Sequence, residues 1–225
     1  FEKLGYTHRL VQGMKSYNGV AILSKVPFSA RNVHHRCRKE GCRHIEVPLD
    51  IGGDPILLDN LYIPGGGDIP DPEANTKFPH KLDFYREMAG WFAERKPAAR
   101  HKKGLRRIAV GDLNVAPLEH DVWSHKQLLK IVSHTPVEVE VFARLKASLD
   151  WTDVPRRFVP DDQKLYSWWS YRNNDWRKSN RGRRLDHILA SPALGGATQS
   201  HRIDVDLRDW KLASDHVPVS ATFDV

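Results

Sequence analysis

The chain is poor in cysteine and has no long apolar run. Its 225 residues hold two cysteines, Cys37 and Cys42. That is too few for a fold stapled by disulfides, so a reduced, cytoplasmic setting is expected. No apolar run approaches the roughly 18 residues that cross a bilayer, and no membrane role is expected. A secretory leader, internal repeats and low-complexity linkers are missing as well. The first residue is not methionine, and the opening Phe1-Glu2-Lys3-Leu4-Gly5-Tyr6 reads like the interior of a domain, truncated at its N-terminus.

The residues present suit a folded α/β unit. A hydrophobic fraction of 40% supplies a core, and the length fits one large domain over residues 1–225. The formal charge of +7 favours a polyanionic partner, though modestly. Strand-like and helix-like runs alternate. Residues 20–23, 56–63, 108–110, 165–171, 185–190 and 217–223 read as strands, the last by its alternation of Val217, Val219, Ala221 and Phe223. Residues 79–96 read as a helix with Leu82, Tyr85, Ala89 and Phe92 on one buried stripe. Thr135-Pro136-Val137-Glu138 is a helix start with Thr at the cap, Pro at the first position and Glu three residues after the cap. Val141, Leu145 and Leu149 then share a face. The glycine run Gly65-Gly66-Gly67 is a loop.

Two short clusters carry chemistry. Gly111-Asp112-Leu113-Asn114 ends the strand 108–110. Side chains two apart in an extended segment point the same way, so Asp112 and Asn114 are expected to face outward together while Leu113 enters the core. Gly111 allows close backbone approach by a substrate, or a strained turn. A carboxylate beside a carboxamide offers hard oxygen ligands for a divalent cation, or contacts for a phosphate and its attacking water. An ordinary strand-to-loop turn has the same composition.

Ser214-Asp215-His216 opens the last strand and can bind a metal or touch a phosphoryl oxygen; a capped turn with a surface histidine is the plainer reading. Asp186 begins an apolar strand, where an unpaired carboxylate is costly. It needs a partner, either His216 or a nearby arginine.

Between the clusters, Tyr166, Trp168, Trp169 and Tyr171 are followed by Arg172, Arg177, Lys178, Arg181, Arg183 and Arg184. Cations beside aromatic rings suit nucleic acid. One of the two tryptophans is expected in the core, because neighbours on a strand face opposite sides. The stretch 100–107 adds a further basic run. His34, His35, Cys37, Cys42 and His44 form a possible zinc cluster, but no second Cys/His pair lies at finger distance, and a basic surface loop with free thiols is the better reading.

Taken together these segments resemble the exonuclease III family of DNA-repair nucleases. The resemblance rests on Ser16-Tyr17-Asn18-Gly19-Val20-Ala21-Ile22-Leu23-Ser24, Asn60-Leu61-Tyr62-Ile63-Pro64, Lys77-Phe78-Pro79-His80-Lys81-Leu82, Gly111-Asp112-Leu113-Asn114-Val115-Ala116-Pro117, Tyr166-Ser167-Trp168-Trp169-Ser170-Tyr171-Arg172, Asn180-Arg181-Gly182-Arg183-Arg184-Leu185-Asp186 and Ser214-Asp215-His216-Val217-Pro218-Val219.

The resemblance implies a four-layered α/β sandwich of the deoxyribonuclease I type, two β-sheets packed between helices. It implies a Mg²⁺-dependent hydrolase, with Mn²⁺ as the other usable ion, cleaving 5′ of abasic sites in double-stranded DNA during base-excision repair. Action at 3′ ends as exonuclease and phosphatase is implied too, by a monomer. In that reading Tyr62 contacts the phosphate. Asp112 activates water or handles the leaving group's proton. Asn114 steadies the transition state, and Asp186 orients His216 against the scissile phosphate. Asp215 is a metal ligand, with Asp112, Asn114 and His216 completing the metal set. Asn18, Trp168, Arg172, Arg177, Lys178 and Arg183 face the substrate.

In two places the chain departs from the family's pattern. The family's first strand, with its Asn, and the following Gln-Glu segment, whose Glu is a principal metal ligand, belong upstream of Phe1. Arg183 stands where relatives carry an apolar or aromatic residue near the abasic pocket. Two other functions remain open at this stage. A phosphodiesterase acting on phosphoinositides would separate by substrate preference, and a DNA-binding module without chemistry by the lack of metal-stimulated cleavage.

Overall fold

A computed structural model describes residues 1–38, 41–96, 104–173 and 175–225. Residues 100–103 of the basic run 100–107 lie outside the described residues. The strands are β1 (His8–Met14), β2 (Asn18–Ser24), β3 (Asn32–Val33), β4 (His44–Leu49), β5 (Ile56–Tyr62), β6 (Arg107–Asp112), β7 (Thr152–Asp153), β8 (Trp168–Trp169), β9 (Gly182–Arg183), β10 (Asp186–Ala190), β11 (Thr198–Ile203) and β12 (Val219–Phe223). The helices are α1 (Lys77–Ala93), α2 (His125–Leu128), α3 (Pro136–Ser148), α4 (Trp176–Ser179) and α5 (Pro192–Gly195).

The central sheet has the order β3-β4-β5-β6-β10-β7. Among the described residues only β5 and β6 pair in parallel, with α1 in the connection between them. Period-two alternation sorts the side chains. Leu61, Ala109 and Leu189 face α1 and α3, where Phe78, Leu82, Tyr85, Met88, Phe92, Val141 and Leu145 complete one core. On the opposite face Ile45 and Val47 meet Leu10, Val20 and Ile22 of the β1–β2 hairpin. Farther along, Ile56, Ile108 and Ile188 meet Val219, Ala221 and Phe223 of the β11–β12 hairpin. The result is the expected mixed α/β architecture, with α1 and α3 on one face of the central sheet and the two hairpins stacked on the other.

Local signals explain most element ends. Thr135 caps α3: its hydroxyl accepts from Glu138 N, and the Glu138 carboxylate accepts from Thr135 N at 3.1 Å. Helix α1 starts at Lys77, so Pro79 falls in its first turn, where the missing N–H costs no internal bond. The last strand begins at Val219 because Pro218 has no N–H for a ladder. The strand expected over 165–171 is reduced to Trp168–Trp169. It pairs with the two-residue β9, while Tyr166 and Trp169 fill a small core with Trp176 and Val217 and Ser167 spends its hydroxyl on Asp186.

Candidate active site

Three adjacent strands end at one place. Parallel register sets Tyr62 of β5 opposite Asp112 of β6, and antiparallel register sets Asp186 of β10 opposite Asp112 from the other side. Asp112 follows Ile108 and Val110 in the period-two pattern, and Asp186 precedes Ile188. Both carboxylates therefore project from the face turned toward the two hairpins, where the apolar layer between the sheets runs out. His216 arrives from the segment before β12, bridged to Trp168.

Leu113 is buried in the helix-side core, as expected. Asn114 shares a face with Asp112 for a different reason from strand alternation. The strand stops at Asp112, and Asn114 turns back with φ 53°, a left-handed conformation that asparagine tolerates. Its backbone N–H donates to Asp112 Oδ1 and its amide Nδ2 to Asp112 Oδ2, each at 2.9 Å. Nδ2 also donates to Ile63 O at 2.8 Å. With both amide protons spent, Oδ1 is the group Asn114 offers outward. Gly111, with φ 134°, serves strand packing rather than substrate approach: a Cβ there would stand 1.9 Å from Leu61 O.

Hydrogen bonding and charge set the protonation of the cluster. His216 Nδ1 donates to Asp186 Oδ2 at 2.8 Å, and Nε2 lies 3.9 Å from Asp112 Oδ2. Burial alone would lower the histidine, but the bond to Asp186 and the charges of Asp186, Asp112 and Asp215 outweigh it and hold the imidazole at about 9. Burial and then the neighbouring Asp186 charge push Asp112 up to about 7. Burial, reinforced by Asp112, also raises the Tyr62 phenol.

Ligand atoms of Asp112, Asp186 and His216 lie within 4.8 Å of one another. Two crowded carboxylates, with Asn114 Oδ1 alongside, form a hard-oxygen donor set that fits a divalent cation of the Mg²⁺ or Mn²⁺ kind. The cation would relieve the repulsion that raises Asp112. Asp215 stands outside this group; its Oδ2 accepts from the Trp168 indole at 2.9 Å.

The remaining expected residues divide. Asn18, at the start of β2, donates its amide to the carbonyls of Gly41 and Cys42. Trp168 is half-buried beside His216 while Trp169 is core, as the alternation required. Arg172 and Lys178 are exposed. Three arginines of the basic run are engaged within the protein. Arg177 binds Asp206 and Asp209. Arg183 donates to Val132 O at 3.0 Å and Ser133 Oγ at 2.8 Å, with its guanidinium 5.3 Å from the centre of the Trp168 ring. Arg184 is fully buried between Asp121 and Asp153. Of the histidine–cysteine cluster, His44 is buried against Asp59 and Arg36, and among the described residues neither cysteine forms a disulfide.

Sequence reasoning missed the supports. Lys81, wholly buried, donates to Glu138 Oε1, to Asn114 O at 2.6 Å and to Gly65 O at 3.3 Å. Tyr85 OH donates to Leu113 O. Helix α1 thus pins the turn that carries Asn114. The available signal was a lysine on the apolar stripe of α1, four residues before Tyr85. Ser167 Oγ donates to Asp186 Oδ2 at 2.6 Å and accepts from the backbone N–H groups of Leu185 and Asp186. Arg43 donates to Tyr62 O at 3.2 Å and stacks 4.8 Å from the Tyr62 ring centre.

Residues 3–216 match the endonuclease/exonuclease/phosphatase family model. The chain is 29% identical over 230 residues to exodeoxyribonuclease III of Haemophilus influenzae, an alignment covering 99% of this chain and 82% of that protein. Its structure resembles an AP endonuclease from Archaeoglobus fulgidus with TM-score 0.86 and 27% identity, covering 100% of this chain and 81% of the other. A 3′ phosphatase from Neisseria bound to a product DNA hairpin superposes with TM-score 0.85 and 26% identity, again over 100% of this chain and 81% of the other.

Proposed function

The chain belongs to the endonuclease/exonuclease/phosphatase family, and on that basis we propose that the cleft at Asp112, Asp186 and His216 hydrolyses phosphodiesters of DNA, on the 5′ side of abasic sites and at 3′ ends, with bound Mg²⁺ or Mn²⁺. Residues 1–225 act as one catalytic domain. The observation that carries this reading is the convergence of two carboxylates and an imidazole on three neighbouring strand ends, with ligand atoms within 4.8 Å of one another. Similarity to an exodeoxyribonuclease, an AP endonuclease and a DNA 3′ phosphatase supports DNA as the substrate.

In-line attack on a phosphodiester concentrates negative charge on the phosphoryl oxygens, and the site offers fixed positive and donor groups for that charge. His216, oriented through Nδ1 by Asp186, presents Nε2–H as an imidazolium to one such oxygen. An imidazolium cannot ligate a metal, so the cation would fall to the Asp112 and Asp186 carboxylates and Asn114 Oδ1. When bound, it would neutralise phosphoryl charge and polarise water.

Without the cation Asp112 is held at about 7, where its carboxylate can take up a proton near neutral pH, and a bound cation would draw that value down. Asn114 fixes Asp112 through both of its own N–H groups and keeps Oδ1 free to accept from the attacking water. Tyr62 stands beside Asp112 with its phenol protonated and donates to the phosphate. Asn18 and Trp168 border the strand, while Arg172 and Lys178 meet phosphates farther out.

The experiment is cleavage of a duplex with one abasic site, with Mg²⁺ and with EDTA. Nicking that requires the cation and falls in Asp112→Asn supports the assignment; cation-independent nicking would remove it.

A further inference from the structure

The segment leading into Ser214-Asp215-His216 has a bare apolar tip on a fastened base. Trp210 is 68% and Leu212 96% exposed. Leu212 sits at φ 59°, a left-handed conformation that a leucine adopts only under constraint. The base supplies that constraint. Trp176 Nε1 donates to Asp209 Oδ1 at 2.9 Å, and Arg177 binds both Asp206 and Asp209. Ala213 N donates to Trp210 O at 3.0 Å, closing the turn, and Ala213 O accepts from Tyr171 OH, also at 3.0 Å. Arg208 donates to Trp169 O at 3.3 Å and stacks 5.0 Å from the Tyr171 ring centre.

A tip this apolar on a rigid turn exposes hydrocarbon with no partner inside the fold. Its surroundings say what it can meet. The acids of the segment are consumed, Asp206 and Asp209 by Arg177 and Asp204 by Arg202. Lys211, within the tip, and Arg172, beside Tyr171, have no ion-pair partner among the described residues. An aromatic and a leucine interleaved with unspent cations suit a base with its phosphates. Leu212 is four residues from His216, so its backbone lies within about 14 Å of the candidate catalytic imidazole.

We propose that Trp210 and Leu212 form a wedge on which an unpaired nucleobase of the substrate DNA stacks, with Lys211 and Arg172 taking the flanking phosphates. The proposal rests on the reading of the site as a DNA phosphodiesterase. It adds a selectivity for ends and gaps where a base has left its partner.

The test uses the protein with a duplex ending in an unpaired 3′ 2-aminopurine, in EDTA for binding and in Mg²⁺ for turnover. Stacking on the tip quenches 2-aminopurine. Trp210→Ala and Leu212→Ala should each lose the quench and weaken binding at least about fivefold, the range for loss of one base–side-chain stack. The loss should appear in KM with little change in kcat, and Trp210→Phe should retain the quench. Both side chains are solvent-facing, so the variants keep the parent's melting temperature. Equal affinity and equal quench in parent and Ala variants would overturn the wedge and leave the tip to a protein partner. If the parent itself neither binds nor cleaves the duplex, the DNA reading fails, and the wedge falls with it.

Discussion

His216 Nδ1 donates to Asp186 Oδ2 at 2.8 Å, and this bond decides the charge of the site. It holds the imidazole protonated to about pH 9 and aims Nε2 past Asp112. Asp186→Asn would keep the shape while removing the charge. Imidazole protonation at neutral pH should then decline, and cleavage of abasic DNA should fall at least tenfold, with the largest loss on the alkaline side of the pH profile. A profile that keeps the parent's alkaline limb would show that Asp186 does not set the state of His216.

Asp112→Asn separates chemistry from binding. The substitution keeps volume and leaves one oxygen to accept from Asn114, but it gives up the second contact and removes the proton-accepting carboxylate. Single-turnover cleavage should slow by a factor of about 100 or more, the usual scale for loss of a positioned acid–base group, with DNA affinity changed less than threefold. A loss of turnover below tenfold would mean that another group moves the proton.

The pair Lys81–Glu138 is fully buried. Lys81→Met leaves an unpaired buried carboxylate and should cost about 3–5 kcal/mol in urea unfolding. The double variant with Glu138→Gln should recover much of that stability. Turnover should stay low in both, because the hold on Asn114 O is gone. Recovery of turnover along with stability would make Lys81 a folding residue only.

Salt dependence tests the basic run. Arg177 is spent on two carboxylates, and Lys178 is free to meet a phosphate. Lys178→Ala should flatten the slope of log affinity against log salt by up to about 0.9, one phosphate's worth, and Arg177→Ala should leave it nearly unchanged. A flattening by Arg177→Ala equal to that of Lys178→Ala would show that its acid partners release it on binding.

One source of acid sensitivity is His34, held at about 4 by burial and then by its neighbours His44 and Arg36, against an ordinary 6.5. Between those values the unfolded chain binds a proton that the folded chain refuses. Stability is therefore lost as pH falls from 6.5 toward 4, by up to about 1.4 kcal/mol per pH unit for one group. Asp59, pushed up to about 6 by burial, opposes this below pH 6. Melting temperature should drop less between pH 7 and 5 in His34→Gln than in the parent; parallel drops would exclude His34 as the source.

Much of this was legible in the residues because it depends on local pattern. The Thr135 cap, the stripe on α1, the inward Leu113 and the split between Trp168 and Trp169 each follow from periodicity or capping. The cost of a bare carboxylate at a strand start called for a partner of Asp186, either His216 or an arginine, and the fold supplies His216. What local pattern could not supply was pairing across the chain. The arginines from 172 to 184 look alike in sequence, and only the fold shows Arg177, Arg183 and Arg184 bound by Asp206, Ser133 and Asp121. Asn114 likewise reaches its place through a left-handed turn held from α1, a contact 33 residues away in sequence.

The most direct measurement is the nicking rate of a duplex carrying one abasic site, followed through a cycle of Mg²⁺, excess EDTA and Mg²⁺ restored. The account predicts cleavage immediately 5′ of the lesion, its abolition by EDTA and its return with the cation, with Asp112→Asn slower by a factor of about 100 or more wherever the parent cleaves. Nicking that persists undiminished in EDTA, or that falls less than about tenfold in Asp112→Asn, would contradict a cation-dependent phosphodiesterase centred on Asp112.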